Sequence, residues 1–108
     1  MLWRVETKYL QDPRLTSDQI TGHVEEVVRI PPVTGITSDA NGTLYFSALT
    51  EDGVLSLGPN GKLLTVIRDD RISGPNEGSI GPDGCSYFPN SQAPRINRPD
   101  EVFKIPLP

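Results

Sequence analysis

The sequence predicts an all-β fold of the β-propeller kind, with about two four-stranded blades and one short helix near the N-terminus. Two observations carry this expectation. A segment occurs twice, as Gly35-Ile36-Thr37-Ser38-Asp39-Ala40-Asn41-Gly42-Thr43-Leu44-Tyr45-Phe46 and as Gly78-Ser79-Ile80-Gly81-Pro82-Asp83-Gly84-Cys85-Ser86-Tyr87-Phe88. With one gap in the second copy, the leading glycine, the Asn-Gly or Asp-Gly turn and the closing Tyr-Phe pair coincide. A unit that repeats at this spacing, made of short strands between glycine turns, marks a propeller blade or a similar array. The second observation is compositional: 11 prolines and 10 glycines in 108 residues, with only 35% hydrophobic residues, indicate many turns and little helix.

The elements follow in order. Leu2-Trp3-Arg4-Val5 alternates like a strand and begins without a turn or cap, which predicts partners upstream. Asp12-Pro13-Arg14 is a turn. Thr16 with Gln19 has capping-box spacing and starts a short helix near Ser17. Ile20, Val24, Val27 and Val28 fit helical spacing, but Gly22 weakens the middle and the β-branched run from Val24 to Ile30 suits a strand equally. A short helix followed by a strand is the favoured reading. After Pro31-Pro32, four β-like runs cover Gly35 to Ser38, Thr43 to Ala48, Val54 to Leu57 and Leu63 to Ile67. They are separated by Asn41-Gly42, Asp52-Gly53 and Asn60-Gly61, dipeptides that tolerate positive φ and so favour hairpins. Gly78 to Gly81 and Cys85 to Phe88 open the next unit, an irregular stretch runs from Pro89 to Asp100, and Glu101 to Ile105 alternates as a last strand. A minor echo pairs Gln11-Asp12-Pro13-Arg14-Leu15 with Arg68-Asp69-Asp70-Arg71-Ile72. The expected division is the end of one blade plus the helix over 1–30, a complete blade over 31–72, and a final blade with its closing strand over 73–108.

Several function classes are excluded by charge and residue inventory. A formal net charge of -4 with scattered basic residues offers no footprint for nucleic acid or an anionic membrane surface. No apolar stretch is long enough to span a bilayer, and Trp3, Arg4, Glu6 and Lys8 interrupt any signal-peptide core. Cys85 is the single cysteine, so no internal disulfide can form, and its place after the Asp83-Gly84 turn reads as small-residue packing. His23 is the single histidine, which excludes a histidine cluster for zinc and reads as a solvated residue at a helix end. Gly58-Pro59-Asn60-Gly61-Lys62 lacks phosphate-loop spacing and reads as a hairpin. Tyr45, Phe46, Tyr87 and Phe88 recur at equivalent positions and read as packing between adjacent blades.

The candidate ligand-binding residues lie where propellers place their sites, on loops leading to the innermost strands. Thr34 before Gly35, and Asn76 with Glu77 before Gly78, occupy equivalent points of the two repeats. Asn90 and Gln92 follow the second strand of the last unit and are expected to point to the same opening. Carboxylate and amide oxygens gathered there suit Ca²⁺ or another hard divalent cation. The partners implied are a small molecule in a central channel and either the remaining blades or further copies of the chain.

The order of these motifs carries a resemblance. Leu2-Trp3-Arg4-Val5-Glu6-Thr7, Pro31-Pro32-x-x-Gly35-Ile36, and Arg68-Asp69-Asp70-Arg71-Ile72 through Gly74-Pro75-Asn76 to Gly81-Pro82-Asp83-Gly84 resemble the C-terminal third of the major royal jelly protein/yellow family. Gln92, Pro94-Arg95 and Val102-Phe103-Lys104-Ile105 continue the likeness. The resemblance implies a six-bladed ring, of which this chain supplies about the last two blades, and it implies secretion. It also implies an architecture related to the gluconolactonase and senescence-marker-protein hydrolases, in which a bound metal polarises the substrate carbonyl. Where that pattern has aspartates, this sequence has Thr34 and Asn76, with Ala48 at the end of the second strand. These changes remove anionic ligands and the obvious general base. The reading is therefore a royal-jelly/yellow-like, non-enzymatic protein without a cofactor that binds a small molecule or another protein, or else an incomplete gene product; the alternative is a metal-dependent lactonase in which Asn76 and Glu77 contribute ligands.

Overall fold

The computed structural model describes residues 1–91 and 101–108 and divides the chain into two compact units, Met1–Ile30 and Pro31–Pro108. Most of the regular secondary structure among the described residues is β-strand, in three antiparallel sheets. No helix among the described residues is long and apolar enough to cross a membrane.

The first unit contains β1 (Leu2–Arg4), α1 (Thr7–Leu10), α2 (Ser17–Thr21) and β2 (Glu25–Val28). The expected capping box is present. Thr16 Oγ1 accepts from the Gln19 amide at 3.2 Å and Gln19 Oε1 accepts from the Thr16 amide at 2.8 Å, so two N-terminal donors of α2 are satisfied reciprocally. The helix ends at Gly22, and the β-branched residues after it form a strand.

Among the described residues β1 pairs with a strand downstream of it: Leu2 with Val28, Trp3 with Glu26 and Arg4 with Glu25, and the Arg4 guanidinium meets Glu25 Oε2 at 2.8 Å. There are also two short helices rather than one. The additional helix, α1, is one turn with no side-chain cap, so nothing in its composition announces it. His23 is exposed, but its ring stacks on Tyr9 with centroids 3.6 Å apart and planes 4° from parallel. None of residues 1–30 is buried.

The second unit holds a four-stranded meander of β3 (Val33–Ser38), β4 (Leu44–Ala48), β5 (Gly53–Leu57) and β6 (Leu63–Arg68), in that spatial order. It is followed by a three-stranded meander of β7 (Ser79–Ile80), β8 (Cys85–Asn90) and β9 (Glu101–Pro106). The second sheet thus has three strands among the described residues, where a four-stranded unit was expected. Pro89 and Asn90, expected to be irregular, continue β8; the rest of that stretch, from Gln92 onward, lies outside the described residues.

Turn chemistry explains the meander. Gly42 and Gly61 take φ of 83° and 80°, as the Asn-Gly dipeptides require. At the β4–β5 turn it is Asp52 that goes left-handed, with φ 48°. Gly53 has another task there: a Cβ at this position would lie 2.2 Å from the Ile67 carbonyl oxygen across the β5–β6 pair.

Strands β4 and β5 are the two central strands; every residue of β5 and all of β4 except Leu44 are buried. Tyr45 and Val54 on one face pack with Ile72, Phe88 and Ile105, and Val66, Ile67, Ile80, Phe103 and Leu107 close around them. Phe88 and Phe103 meet edge to face, with centroids 6.0 Å apart. This cluster holds the two sheets of the second unit together. Of the four repeated aromatics, Tyr45, Phe46 and Phe88 are buried, whereas Tyr87 is 37% exposed. Cys85 is half-buried rather than enclosed.

The first sheet and the segment leading into the second are in backbone contact at Gly35, where a Cβ would stand 2.3 Å from the Glu77 Cα. Backbone cannot yield there as a flexible side-chain tip would. Gly35→Ala should therefore destabilise the chain by about 1–3 kcal/mol, the range for overpacking a close contact. Urea unfolding followed by circular dichroism reads the change, and a midpoint equal to that of the parent chain would contradict the contact.

Candidate functional site

The residues singled out by sequence converge on the junction where β3 and β4 meet the segment leading into β7. Thr34 lies inside β3 rather than on a loop before it. Its hydroxyl donates to the Pro75 carbonyl, with the Ser47 carbonyl at 3.3 Å. Two more hydroxyls do the same work: Ser47 Oγ donates to the Asn76 carbonyl and Thr37 Oγ1 to the Gly78 carbonyl, each at 2.6 Å. Residues 75–78 precede β7 and take few bonds from their own sheet, although the Asn76 amide reaches the Pro89 carbonyl at 3.0 Å. The three hydroxyls thus satisfy carbonyls that the ladder leaves over, as a buried or half-buried backbone requires.

Asn90 is placed by the opposite logic. It ends β8 with 0% exposure, and its side chain faces the Asp69–Ile72 turn. Oδ1 accepts from the Ser73 amide at 2.6 Å, and Nδ2 donates to the Arg71 carbonyl at 3.0 Å. Both ends of the amide are engaged with backbone, which makes Asn90 a clamp for the turn rather than a group aimed at an opening. Thr34 is spent in the same way on Pro75. Asn76 and Glu77 differ, because both are exposed. Gln92 lies outside the described residues. The structure therefore brings Thr34, Asn76 and Glu77 to one seam and sets Asn90 on the turn beside it. Among the described residues no group of three or more His, Cys, Asp or Glu side chains converges.

The Asp-x-Arg turns are a device that recurs in full. In the turn after α1, Asp12 Oδ1 accepts from the Arg14 amide and Nε, both at 3.0 Å, and Oδ2 meets Arg14 Nη2 at 3.0 Å. In the turn after β6, Asp69 makes the same three bonds to Arg71 at 2.9, 2.9 and 2.7 Å. The guanidinium and amide hydrogen bonds hold the Asp69 carboxyl well below the usual carboxylate range, and Asp12 is lowered by the same partners. On the other sheet, Asp83 Oδ2 accepts from the Tyr87 hydroxyl at 2.7 Å and meets Lys104 Nζ at 2.9 Å. These contacts lower the Asp83 carboxyl and raise Lys104.

What sequence reasoning missed is the hydroxyl seam. Thr37 and Ser47 look like ordinary strand residues, and no local signal marks them, because the carbonyls they meet lie 41 and 29 residues further along the chain. Comparison with protein-family models and with curated proteins gives no match for this chain.

Two outcomes follow. Asn90→Ala leaves the Ser73 amide and the Arg71 carbonyl unpaired and opens a cavity, and should cost about 2–4 kcal/mol in urea unfolding; a loss below about 0.5 kcal/mol would refute the clamp. The second concerns pH. Because the folded Asp69 carboxyl lies below its unfolded value of about 3.9, its contribution to stability is full above that pH and disappears as pH falls through the folded value. Asp69→Asn should therefore lower the thermal midpoint at neutral pH, and the gap from the parent chain should narrow as the solution is acidified below the ordinary carboxylate range. A gap that stays constant with pH would overturn the assignment.

Proposed function

We propose that residues 31–108 are two successive blades of a β-propeller of the royal-jelly/yellow type, and that the protein is a non-enzymatic binding module. The observation that carries this reading is the register of the two sheets. Thr37 faces Tyr45, which faces Ser56; Ser79 faces Tyr87, which faces Lys104. The neighbouring rows, Phe46 with Leu55 and Ser47 with Val54, correspond to Phe88 with Phe103 and Pro89 with Val102. Aligned on the tyrosines, the two sheets need no gap, and counting back along the chain puts Asn76 at the place of Thr34 and Glu77 at the place of Gly35. The sequence match of the two leading glycines is thus one residue out of step with the strand pairing.

The same alignment speaks to partners. Tyr45 and Val54 are 6% and 3% exposed because the second sheet covers them; their counterparts Tyr87 and Val102 are 37% and 72% exposed. A face with the same design and no cover among the described residues is what a blade awaiting its neighbour presents, and exposed apolar patches mark interaction surfaces. Further blades or another copy of the chain are the partners this reading requires, and a small molecule held beside Asn76 and Glu77 is the ligand. Secretion enters through the same resemblance.

Light scattering with size-exclusion chromatography, on the chain and on Val102→Asp, tests the reading. The parent chain should form a β-rich closed oligomer, and the variant should shift it toward monomer. A stably folded monomer, or an oligomer indifferent to Val102→Asp, would overturn the blade reading. Lactone turnover that depends on added Ca²⁺ and is lost in Glu77→Gln would replace the binding module by the hydrolase.

A further inference from the structure

The turns β3–β4 and β5–β6 lie at the same end of the four-stranded sheet, and each is built around a side-chain acceptor. Asp39 Oδ1 accepts from the amides of Asn41 and Thr43 at 2.9 and 3.0 Å, and Asn60 Oδ1 accepts from the Lys62 amide at 3.0 Å. Between the turns is a pocket of about 250 Å³ whose lining includes Asp39, Asn41, Tyr45, Ser56, Lys62 and Leu64. It belongs wholly to the second unit and is separate from the Thr34–Glu77 seam.

We infer that this pocket is a binding site for a small polyhydroxylated carboxylate, a molecule the size of one sugar ring. The chemistry of the lining selects that class. Tyr45 and Ser56 are each 6% exposed, so two hydroxyl-bearing side chains are held by the sheet itself and need little ordering on binding. The Tyr45 hydroxyl donates to Asp39 Oδ2 at 3.3 Å, a long bond that leaves the carboxylate able to accept from a ligand hydroxyl. Lys62 stands exposed at the rim. Lys8 and Lys104 pair with Glu6 and Asp83, whereas Lys62 enters no salt bridge among the described residues. Its ammonium is thus available to a carboxylate. Leu64, 53% exposed, supplies the apolar contact that the C–H face of a sugar ring takes. A bare anion would leave Asp39 facing it, and a bare cation would meet Lys62. A hydroxy acid satisfies both, with hydroxyls on Asp39, Asn41 and Ser56 and its carboxylate on Lys62.

D-glucuronate is the probe and D-glucose its uncharged control, titrated into ¹⁵N-labelled chain and followed by amide shifts. Glucuronate should saturate with a Kd of millimolar order, moving the amides of Asn41, Thr43, Asn60 and Lys62, and glucose should bind more weakly. Lys62→Ala should weaken glucuronate about tenfold and Ser56→Ala about fivefold, the losses expected for a charged and a neutral hydrogen bond. Lys62→Ala is a surface change, so it keeps the test decisive if Ser56→Ala disturbs the strand. Absence of saturable shifts, shifts scattered over other cationic side chains, or affinities unchanged in both variants would each overturn the inference.

Discussion

The second unit depends on how closely its two sheets can approach. Tyr45 and Val54 can reach Ile72, Phe88 and Ile105 only because the backbone at Glu77 is allowed against Gly35, where any side chain would collide. That proximity also brings the hydroxyls of Thr34, Thr37 and Ser47 within reach of the carbonyls of residues 75–78. Apolar burial supplies the larger driving force, while the hydrogen bonds decide the register at which the sheets meet. A slip along the strands would leave those carbonyls unpaired.

The same economy shapes the loops. The turn after β6 is folded on itself by Asp69 and Arg71, then fastened to the second sheet by the Asn90 amide. Ile72 can therefore be buried at 3% exposure directly beside an exposed arginine. Along the outer face of the second sheet, Asp83 binds both Tyr87 and Lys104, so the uncovered aromatic is held in place by ionic contacts where its counterpart Tyr45 is held by packing. The acid that meets the tyrosine is not at the same place in the two sheets. Asp39 bonds the amides of Asn41 and Thr43, and Asp83 bonds the amide of Cys85, yet each receives the hydroxyl of the tyrosine that follows.

Much of this was legible in the sequence, for physical reasons that differ by element. Hairpin strands were found within a residue or two because Asn-Gly and Asp-Gly report a backbone conformation directly. The α2 start was readable because Thr16 and Gln19 satisfy local donors, and the Asp-x-Arg echo was readable because its bonds span two residues. Long-range partners were not. The pairing of β1 with β2 spans two helices, and nothing near Leu2 distinguishes a partner upstream from one downstream. Thr34 reads as a ligand-facing group because it holds the place in its repeat that Asn76 holds in the other, but tertiary approach commits its hydroxyl to Pro75. Asn90 was misjudged in the same way: a polar side chain at a strand end reads as exposed until the turn folded over it is seen. The lead-in glycines misled by one residue, since Gly35 is demanded by a neighbour's backbone and not by its place in a repeat.

Strand β9 lies at the margin of its sheet, with no partner strand on its outer side among the described residues. Such a margin carries backbone donors and acceptors able to recruit any extended chain. Here it is guarded chemically. Glu101 and Lys104 place opposite charges along it, and Pro106 and Pro108 follow without amide hydrogens to offer. A strand that joined β9 would find hydrogen-bonding continuity only over its first few residues. Indiscriminate end-to-end growth into fibrils is therefore resisted by the last eight residues, independently of how well the core is packed.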